Sequence, residues 1–465
     1  MLTYSFTDLG SDSLYEHLYK CIKKDILQRN ICAGYKLPSK RSFSKNLGVS
    51  TITVENAYSQ LIAEGYIYSI PKKGYFVNDI KTIPTEQLPA FTTQHIKTDA
   101  ENPSFLADFT SNQTCSENFP FSIWSKIIRE LLCGNQASLM INPPCGGILE
   151  LRSSISKHLE AFHGLQVLPE QIIIGAGTEY LYSLIIQLLG LDKKYAIEDP
   201  GYSKISKIYQ SYHVSCSHIP LDSMGVNVYE LENQGIDVVH ISPSHHFPTG
   251  IVMPISRRYE LLSWATKSDS RYIIEDDYDS EFRLTGQPIP TLQSIDVLDR
   301  VIYINTFTKT LASTVRISYM VLPKRLVNEF YSKLSFYSCT VSNFEQYTLA
   351  HFIEQGYFEK HINRMRNYYH NKRDLLLSYI EKSPLSSRVS IYAEDAGLHF
   401  LMKIDSTLND NEICMRARQV GINVSSLSQY YVVPPESATH TFVINYSSID
   451  ESVMEEAIER FYHCI

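Results

Sequence analysis

Apolar residues recur along this chain in two rhythms. At the front they fall at helical spacing, Leu14, Leu18, Ile22 and Ile26, which predicts an amphipathic first helix. Ala33 to Ser39 reads as a turn leading to a helix start at Pro38-Ser39, and Lys40 to Asn46 predicts a short second helix. Leu47-Gly48-Val49-Ser50 is a tight turn in which Ser50 caps a third helix reaching about Glu64. Gly65 ends that helix. Tyr66-Ile67-Tyr68 and Tyr75-Phe76-Val77 then predict a hairpin around Pro71-Lys72-Lys73-Gly74.

From about residue 107 short apolar runs alternate with helical stretches, as in an α/β sheet with helices on both faces. Strands are predicted at Ile172 to Ile174, Tyr195 to Tyr202, Ile236 to Ile241, Arg271 to Ile274, Val301 to Ile304 and Ile317 to Leu322. Phe352 to Tyr379 predicts one long helix. Gly397 to Phe400 and Phe442 to Tyr446 read as strands of a smaller C-terminal subdomain. Between the two rhythms, residues 79–106 carry Pro84, Pro89 and Pro103 among polar residues without a period, which predicts a partly stiffened linker. The expected organisation is therefore a domain at 10–78, a linker at 79–106 and a larger domain at 107–465.

Charge sharpens this division. Residues 1–80 carry ten Lys and Arg against seven Asp and Glu, a net +3, whereas the remainder carries 32 against 43, a net −11. A basic module on an acidic one places any nucleic acid at the front. Nine cysteines without a CxxC pair or Cys/His cluster indicate neither zinc nor a disulfide frame and suit a reducing cytoplasm. No apolar run reaches the length of a membrane span, and no signal-peptide core is present.

Candidate chemistry collects at the strand exits. Lys309 stands just past the Val301 strand, among hydroxyls and with Arg316 seven residues on. An amine so placed suits a Schiff base with an aldehyde cofactor whose phosphate needs a cation. Gly175-Ala176-Gly177-Thr178 opens a helix and offers backbone N–H groups to a phosphate, although such turns also simply connect elements. Tyr202 follows a strand exit, where packing alone explains an aromatic. His245 and His246 are adjacent, but no third metal ligand lies near. Glu275 to Glu281 holds five acids in seven residues, readable as a solvated turn, a divalent-metal site, or a carboxylate that keeps a pyridinium protonated. Arg364 and Arg366 could pass for a nucleic-acid patch, yet their spacing from Tyr368 and Tyr369 suits an exposed helix packed on the large domain.

In the front module two short helices about a Gly turn and a basic-tipped hairpin form a winged helix-turn-helix. The third helix is expected to enter the major groove by its N-terminal turn, Ser50-Thr51-Ile52-Thr53, and Lys72 and Lys73 to meet phosphate; Arg41 is the candidate guanine contact, with Ser39 beside it. Leu37-Pro38-Ser39-x-Arg41, Leu47-Gly48-Val49-Ser50-x-x-Thr53-Val54, Glu64-Gly65-Tyr66 and Gly74-x-Phe76-Val77 resemble the GntR-family DNA-binding domain. Where that family often has Arg, this chain has Thr51.

Residues 107–465 resemble the fold-type I aminotransferases that use pyridoxal 5′-phosphate (PLP). The resemblance implies that Lys309 forms the internal aldimine, Asp276 meets the pyridine nitrogen, Tyr278 bonds the phenolic oxygen and Tyr202 stacks on the ring. Gly177, Thr178, Thr306 and Arg316 would hold the phosphate. The two halves together, with Ser242 to Gly250 and Glu275 to Phe282, resemble the MocR/GabR regulators. The family implies a homodimer bound to a double-stranded DNA operator.

Three departures shape the effector. Phe247 stands where aminotransferases carry Asn, Val443 where they carry the Arg that grips the substrate carboxylate, and Lys204 where amino-acid-sensing members have Arg. A carboxylate left without its partner loses about 2–5 kcal/mol. The expectation is a regulator whose signal is PLP itself, with vitamin B6 metabolism as output. The alternatives are an amino compound forming an external aldimine, a small peptide reached by Lys204, an aminotransferase with an appended DNA module, or a scaffold that binds DNA without cofactor.

Overall fold

The structure, a computed structural model, describes residues 2–6, 12–80, 105–111, 116–134, 136–283, 290–394 and 397–465. The chain divides into two compact units, Met1–Glu101 and Asn102–Ile465. Most of the expected linker, with Pro84, Pro89 and Pro103, lies outside the described residues.

The first unit runs α1 (Leu14–Leu27), β1 (Lys36–Leu37), α2 (Lys40–Leu47), α3 (Thr51–Ala63), β2 (Ile67–Ile70) and β3 (Gly74–Val77). Capping sets the helix starts. The Ser13 N–H donates to Glu16 Oε2 at 2.9 Å, Ser39 Oγ accepts from the Ser42 N–H at 3.2 Å and Ser50 Oγ from the Thr53 N–H at 3.0 Å. Each such cap contributes about 1 kcal/mol. Gly48, with φ of 69°, makes the left-handed turn between α2 and α3. Leu18, Ile22, Phe43, Val54, Tyr58 and Leu61 fill the core. β1 joins the hairpin to give an antiparallel sheet of order β1-β3-β2. A two-residue strand has no alternation to read, so the sequence did not announce it.

The second unit contains β4 (Ala107–Asp108), β5 (Ile172–Gly175), β6 (Lys194–Asp199), β7 (Ser215–Asp222), β8 (Gly225–Val226), β9 (Val238–Ile241), β10 (Tyr272–Asp276), β11 (Val301–Thr306) and β12 (Ser318–Val321). The central sheet has order β5-β12-β11-β10-β9-β6-β7-β8. Its middle strands pair in parallel, and β12 runs antiparallel to both neighbours. Helices α4 (Leu149–His163), α5 (Thr178–Leu189), α6 (Phe307–Thr310), α7 (Asn343–Glu354) and α8 (Tyr357–Lys382) belong to this unit. Strands β5, β9, β10, β11 and β12 are buried along their whole length, as expected for strands covered on both faces.

The remaining strands are β13 (Val389–Tyr392), β14 (His399–Ile404), β15 (Ile422–Asn423), β16 (Ser425–Ser426) and β17 (Thr441–Asn445). They form the C-terminal antiparallel sheet β13-β14-β17-β16 and a short β15-β4 pair. Phe400, Met402, Phe442 and Tyr446 lie in its core. The helix expected from Phe352 to Tyr379 is two helices, α7 and α8. Gly356 separates them at φ 73°, a left-handed residue that an apolar period runs straight through. Among the described residues no helix is long and apolar enough to cross a membrane, and no group of three or more His, Cys, Asp or Glu is arranged to hold a metal ion.

Candidate cofactor pocket and DNA-binding surface

The parallel strands β6, β9, β10 and β11 end at one rim of the sheet, where an open α/β fold binds ligands. A cavity of about 560 Å³ lies there, lined by Thr178, Tyr202, Asp276, Tyr278, Thr306, Lys309 and Arg316, among others. Seven of the eight residues expected around a cofactor thus share one cavity. The eighth, Gly177, lies against Arg316: a Cβ at this position would run into Arg316 Nη2.

Lys309 is delivered by a cap. Thr306, the last residue of β11, accepts the Thr308 N–H on its hydroxyl at 3.2 Å, which turns the chain into α6 and carries Lys309 to the cavity. Burial pushes the ammonium of Lys309 down to about 8, with the Asp279 carboxylate opposing. Loss of its proton is therefore easier than for a surface lysine, which suits an amine that must attack an aldehyde.

Asp276 ends β10 and is fixed from behind. The Tyr182 hydroxyl on α5 donates to Asp276 Oδ2, and His240 Nε2 lies 3.4 Å from the same oxygen. Tyr209 in turn holds His240 Nδ1 at 3.1 Å. The other oxygen, Asp276 Oδ1, is buried without a hydrogen-bond partner. Leaving such an acceptor unmet costs about 1–3 kcal/mol, and a protonated ring nitrogen answers it.

At the other end, Gly177 stands at φ 92° as the N-cap of α5, with no side chain to close the first turn. Thr306 Oγ1 accepts from Ser318 Oγ and donates to Thr308 Oγ1, each at 2.8 Å. The Arg316 guanidinium donates to Glu179 Oε2 at 2.5 Å, and Lys204 pairs with the second oxygen of that carboxylate. A phosphorylated pyridine aldehyde fits this set: an amine for the aldehyde, an open carboxylate oxygen for the ring nitrogen, and an uncapped helix start with a guanidinium for the phosphate. The Tyr278 hydroxyl donates to the His245 carbonyl at 2.9 Å. Tyr202 is half-exposed and meets Phe247 edge-on, with 6.1 Å between centroids.

The acidic stretch is neither a solvated turn nor a metal site. Glu275, Asp276, Asp277, Asp279 and Glu281 are all buried. Glu275 accepts the Leu292 and Gln293 N–H groups at 2.7 and 2.9 Å, and Asp277 accepts from Tyr303 and Ser280 at 2.8 and 2.7 Å. Asp279 meets His245 at 2.9 Å, and Asn305 donates to Glu281 at 3.2 Å. Burial raises Glu275 to about 7 and Glu281 to about 8. These acids build the strand exit. Local composition reads as hydrophilic here because partners up to 94 residues distant supply the hydrogen bonds. Tyr182 and His240, which hold Asp276, were missed for the same reason: each looks like an ordinary core residue of a helix or strand.

Val443 is buried with Leu401, Leu427 and Ala438, and the cavity-lining Phe247 packs on this cluster. Arg366 donates to the Glu281 carbonyl at 2.5 Å and lies over the Phe162 ring, while Arg364 bonds the Asn118 carbonyl at 2.9 Å. Both pack onto the large unit.

In the first unit Arg41 on α2 and Thr51 at the start of α3 are exposed, Thr53 is half-buried, and Lys72 and Lys73 are exposed at the hairpin tip. The exposed Ser39 and Ser50 spend their hydroxyls on the caps described above. Ser44 Oγ lies 3.3 Å from Thr51 Oγ1, drawing the end of α2 to the start of α3. Ile52, the apolar member of that turn, is 68% exposed at the start of α3.

Fold and site together define a winged helix-turn-helix domain joined to a fold-type I aminotransferase domain. Residues 14–77 match the gntR family of bacterial regulatory proteins, and residues 106–461 match aminotransferase class I and II. The HTH-type transcriptional regulator YdeL of Bacillus subtilis is 37% identical over 96% of each chain. The HTH-type pyridoxine biosynthesis transcriptional regulator PdxR of Corynebacterium glutamicum is 28% identical over 95% of this chain and 94% of its own. Kynurenine aminotransferase of Pyrococcus horikoshii superposes with a TM-score of 0.68 at 24% identity, covering 81% of this chain and 96% of that one. The chain belongs to the MocR-type HTH transcriptional regulators, in which a GntR-family domain precedes an aminotransferase-like domain.

Proposed function

We propose that this regulator binds PLP in the cavity at Lys309 and that PLP itself is the signal, so that the output is control of vitamin B6 supply. When bound, PLP supplies an aldehyde that condenses with amines and a ring that accepts an electron pair. The residues of this chain then have separate tasks. Lys309 offers the amine, Asp276 keeps the ring nitrogen protonated, and Tyr182 and His240 hold Asp276 in place. Thr178, Thr306 and Arg316 take the phosphate, Tyr202 covers the ring, and Tyr278 reaches the phenolic oxygen. Arg41, Ser39, Ser50, Thr51, Thr53, Lys72 and Lys73 meet operator DNA, and the chain works as a homodimer.

The observation that carries this reading is the surroundings of Val443. Where an aminotransferase grips a substrate carboxylate with arginine, this cavity has an apolar cluster behind Phe247. Among the described residues the Lys and Arg side chains lining the cavity are Lys204, Lys309 and Arg316, and Glu179 already takes Lys204 and Arg316. An α-amino acid bound here leaves its carboxylate without a cation, at a cost of about 2–5 kcal/mol. The relationship to the pyridoxine biosynthesis regulator supports the same effector.

The test is titration of the purified protein with PLP while following its binding to its own upstream intergenic DNA. PLP should change the DNA affinity, and pyridoxal 5′-phosphate without any added amine should suffice. Steady-state release of keto acid from common amino acids at ordinary enzyme rates would replace this reading with that of a working aminotransferase.

A further inference from the structure

Among the described residues, Glu179 is the carboxylate that touches the guanidinium expected to hold a phosphate. It sits in the first turn of α5, the helix whose uncapped N–H groups face the same place. Its Oε2 lies 2.5 Å from Arg316 Nη2, and its Oε1 pairs with Lys204. Gly177 lets this happen: with no Cβ, its backbone lies against the guanidinium in a place that a side chain at this position would take. Burial opposes the charge on Glu179, yet Lys204 and Arg316 outweigh it and hold the carboxyl below its usual range. The group is thus an anion at neutral pH, placed where a second anion is to arrive.

A phosphate dianion that reaches Arg316 must take hydrogen bonds now made to Glu179, and it does so beside a fixed negative charge. Lys204 supplies the alternative seat, since the carboxylate can swing wholly onto the ammonium it already touches. The three side chains are 36% to 51% exposed, so water screens the competition and keeps its scale moderate.

We propose that Glu179 is an internal competitor for the cofactor phosphate, which weakens PLP binding and thereby makes occupancy respond to PLP concentration. This inference rests on the PLP reading above. It assigns Glu179 a role opposite to that of a cofactor ligand, and makes Lys204 the acceptor of the displaced carboxylate.

The experiment compares wild type with Glu179→Gln, measuring uptake of PLP and of pyridoxal, which lacks the phosphate, by absorbance and by borohydride fixation at Lys309. Glu179→Gln should bind PLP about tenfold more tightly, the scale of one charge-assisted hydrogen bond at an exposed site. Its affinity for pyridoxal should be unchanged. The PLP difference should shrink as salt rises, because the competing charges are screened. Inorganic phosphate should compete with PLP more effectively in the variant. Equal or weaker PLP binding by Glu179→Gln and by Glu179→Ala, with wild type still binding, overturns the competitor role and leaves the PLP reading standing. Equal tightening for PLP and pyridoxal also overturns it, since the effect is then not on the phosphate. If neither wild type nor variants take up PLP, the PLP reading falls and the proposal with it.

Discussion

Burial holds the Lys309 ammonium near 8, well below the value near 10.4 of a free lysine. Between these two values an unfolded chain keeps a proton that the folded chain has shed, so stability rises with pH across that window. Below pH 8 the folded state carries the full cost of a buried ammonium. In cofactor-free protein, Lys309→Met should therefore be more stable than wild type at pH 7 by about 1–3 kcal/mol. The gap should close toward pH 10, as urea unfolding at the two pH values will read. Lys309→Ala should abolish the PLP adduct fixed by borohydride while circular dichroism stays native; an adduct surviving in the variant reassigns the amine. Gly177→Ala asks for a Cβ against Arg316 Nη2 at a backbone φ of 92°, costing about 1–3 kcal/mol of backbone strain. It should displace the guanidinium and weaken PLP uptake while sparing pyridoxal. At this scale the sequence disclosed Lys309, Asp276 and Arg316 through their places at strand exits and through the family resemblance. It hid Tyr182, His240 and Glu179, whose contacts are with residues from 25 to 137 positions away.

Elements divide the same way. The hairpin β2-β3 was legible because Pro71-Lys72-Lys73-Gly74 is turn chemistry between alternating apolar residues. Its tip puts Lys72 at φ 64° and leaves both lysines exposed. Replacing Lys72 and Lys73 together by Ala should weaken binding to every DNA sequence and reduce the salt slope by about 2 per module. An unchanged slope in electrophoretic or anisotropy titrations removes the hairpin from the interface. Arg41→Ala on α2 should instead relax preference at one base pair by about 1–3 kcal/mol, and an equal loss on random DNA makes it a phosphate contact. The break between α7 and α8 was hidden because Gly356 interrupts the backbone and not the apolar period. The direction of β12 was hidden because a buried strand reads alike in either sense.

For the whole molecule, the basic front and the acidic back, a net +3 and a net −11, agree with the division that the two apolar rhythms predict. The joint fold followed from motifs in both halves, and the family match covers them together. The acidic run at Glu275–Glu281 shows where such reading ends. Its composition says surface, while the sheet buries it and pairs each carboxylate, a fact of tertiary assembly.

β11 and β12 are neighbours in register, Thr306 opposite Ser318, and the Phe307 N–H closes their connection on the Ile317 carbonyl at 3.0 Å. Lys309 and Arg316 both ride on that single closed loop. In the proposed complex the amine contact and the phosphate contact therefore share one backbone closure, so a substitution that opens the Phe307–Ile317 end of the loop is expected to weaken both together, as PLP uptake and borohydride fixation will read.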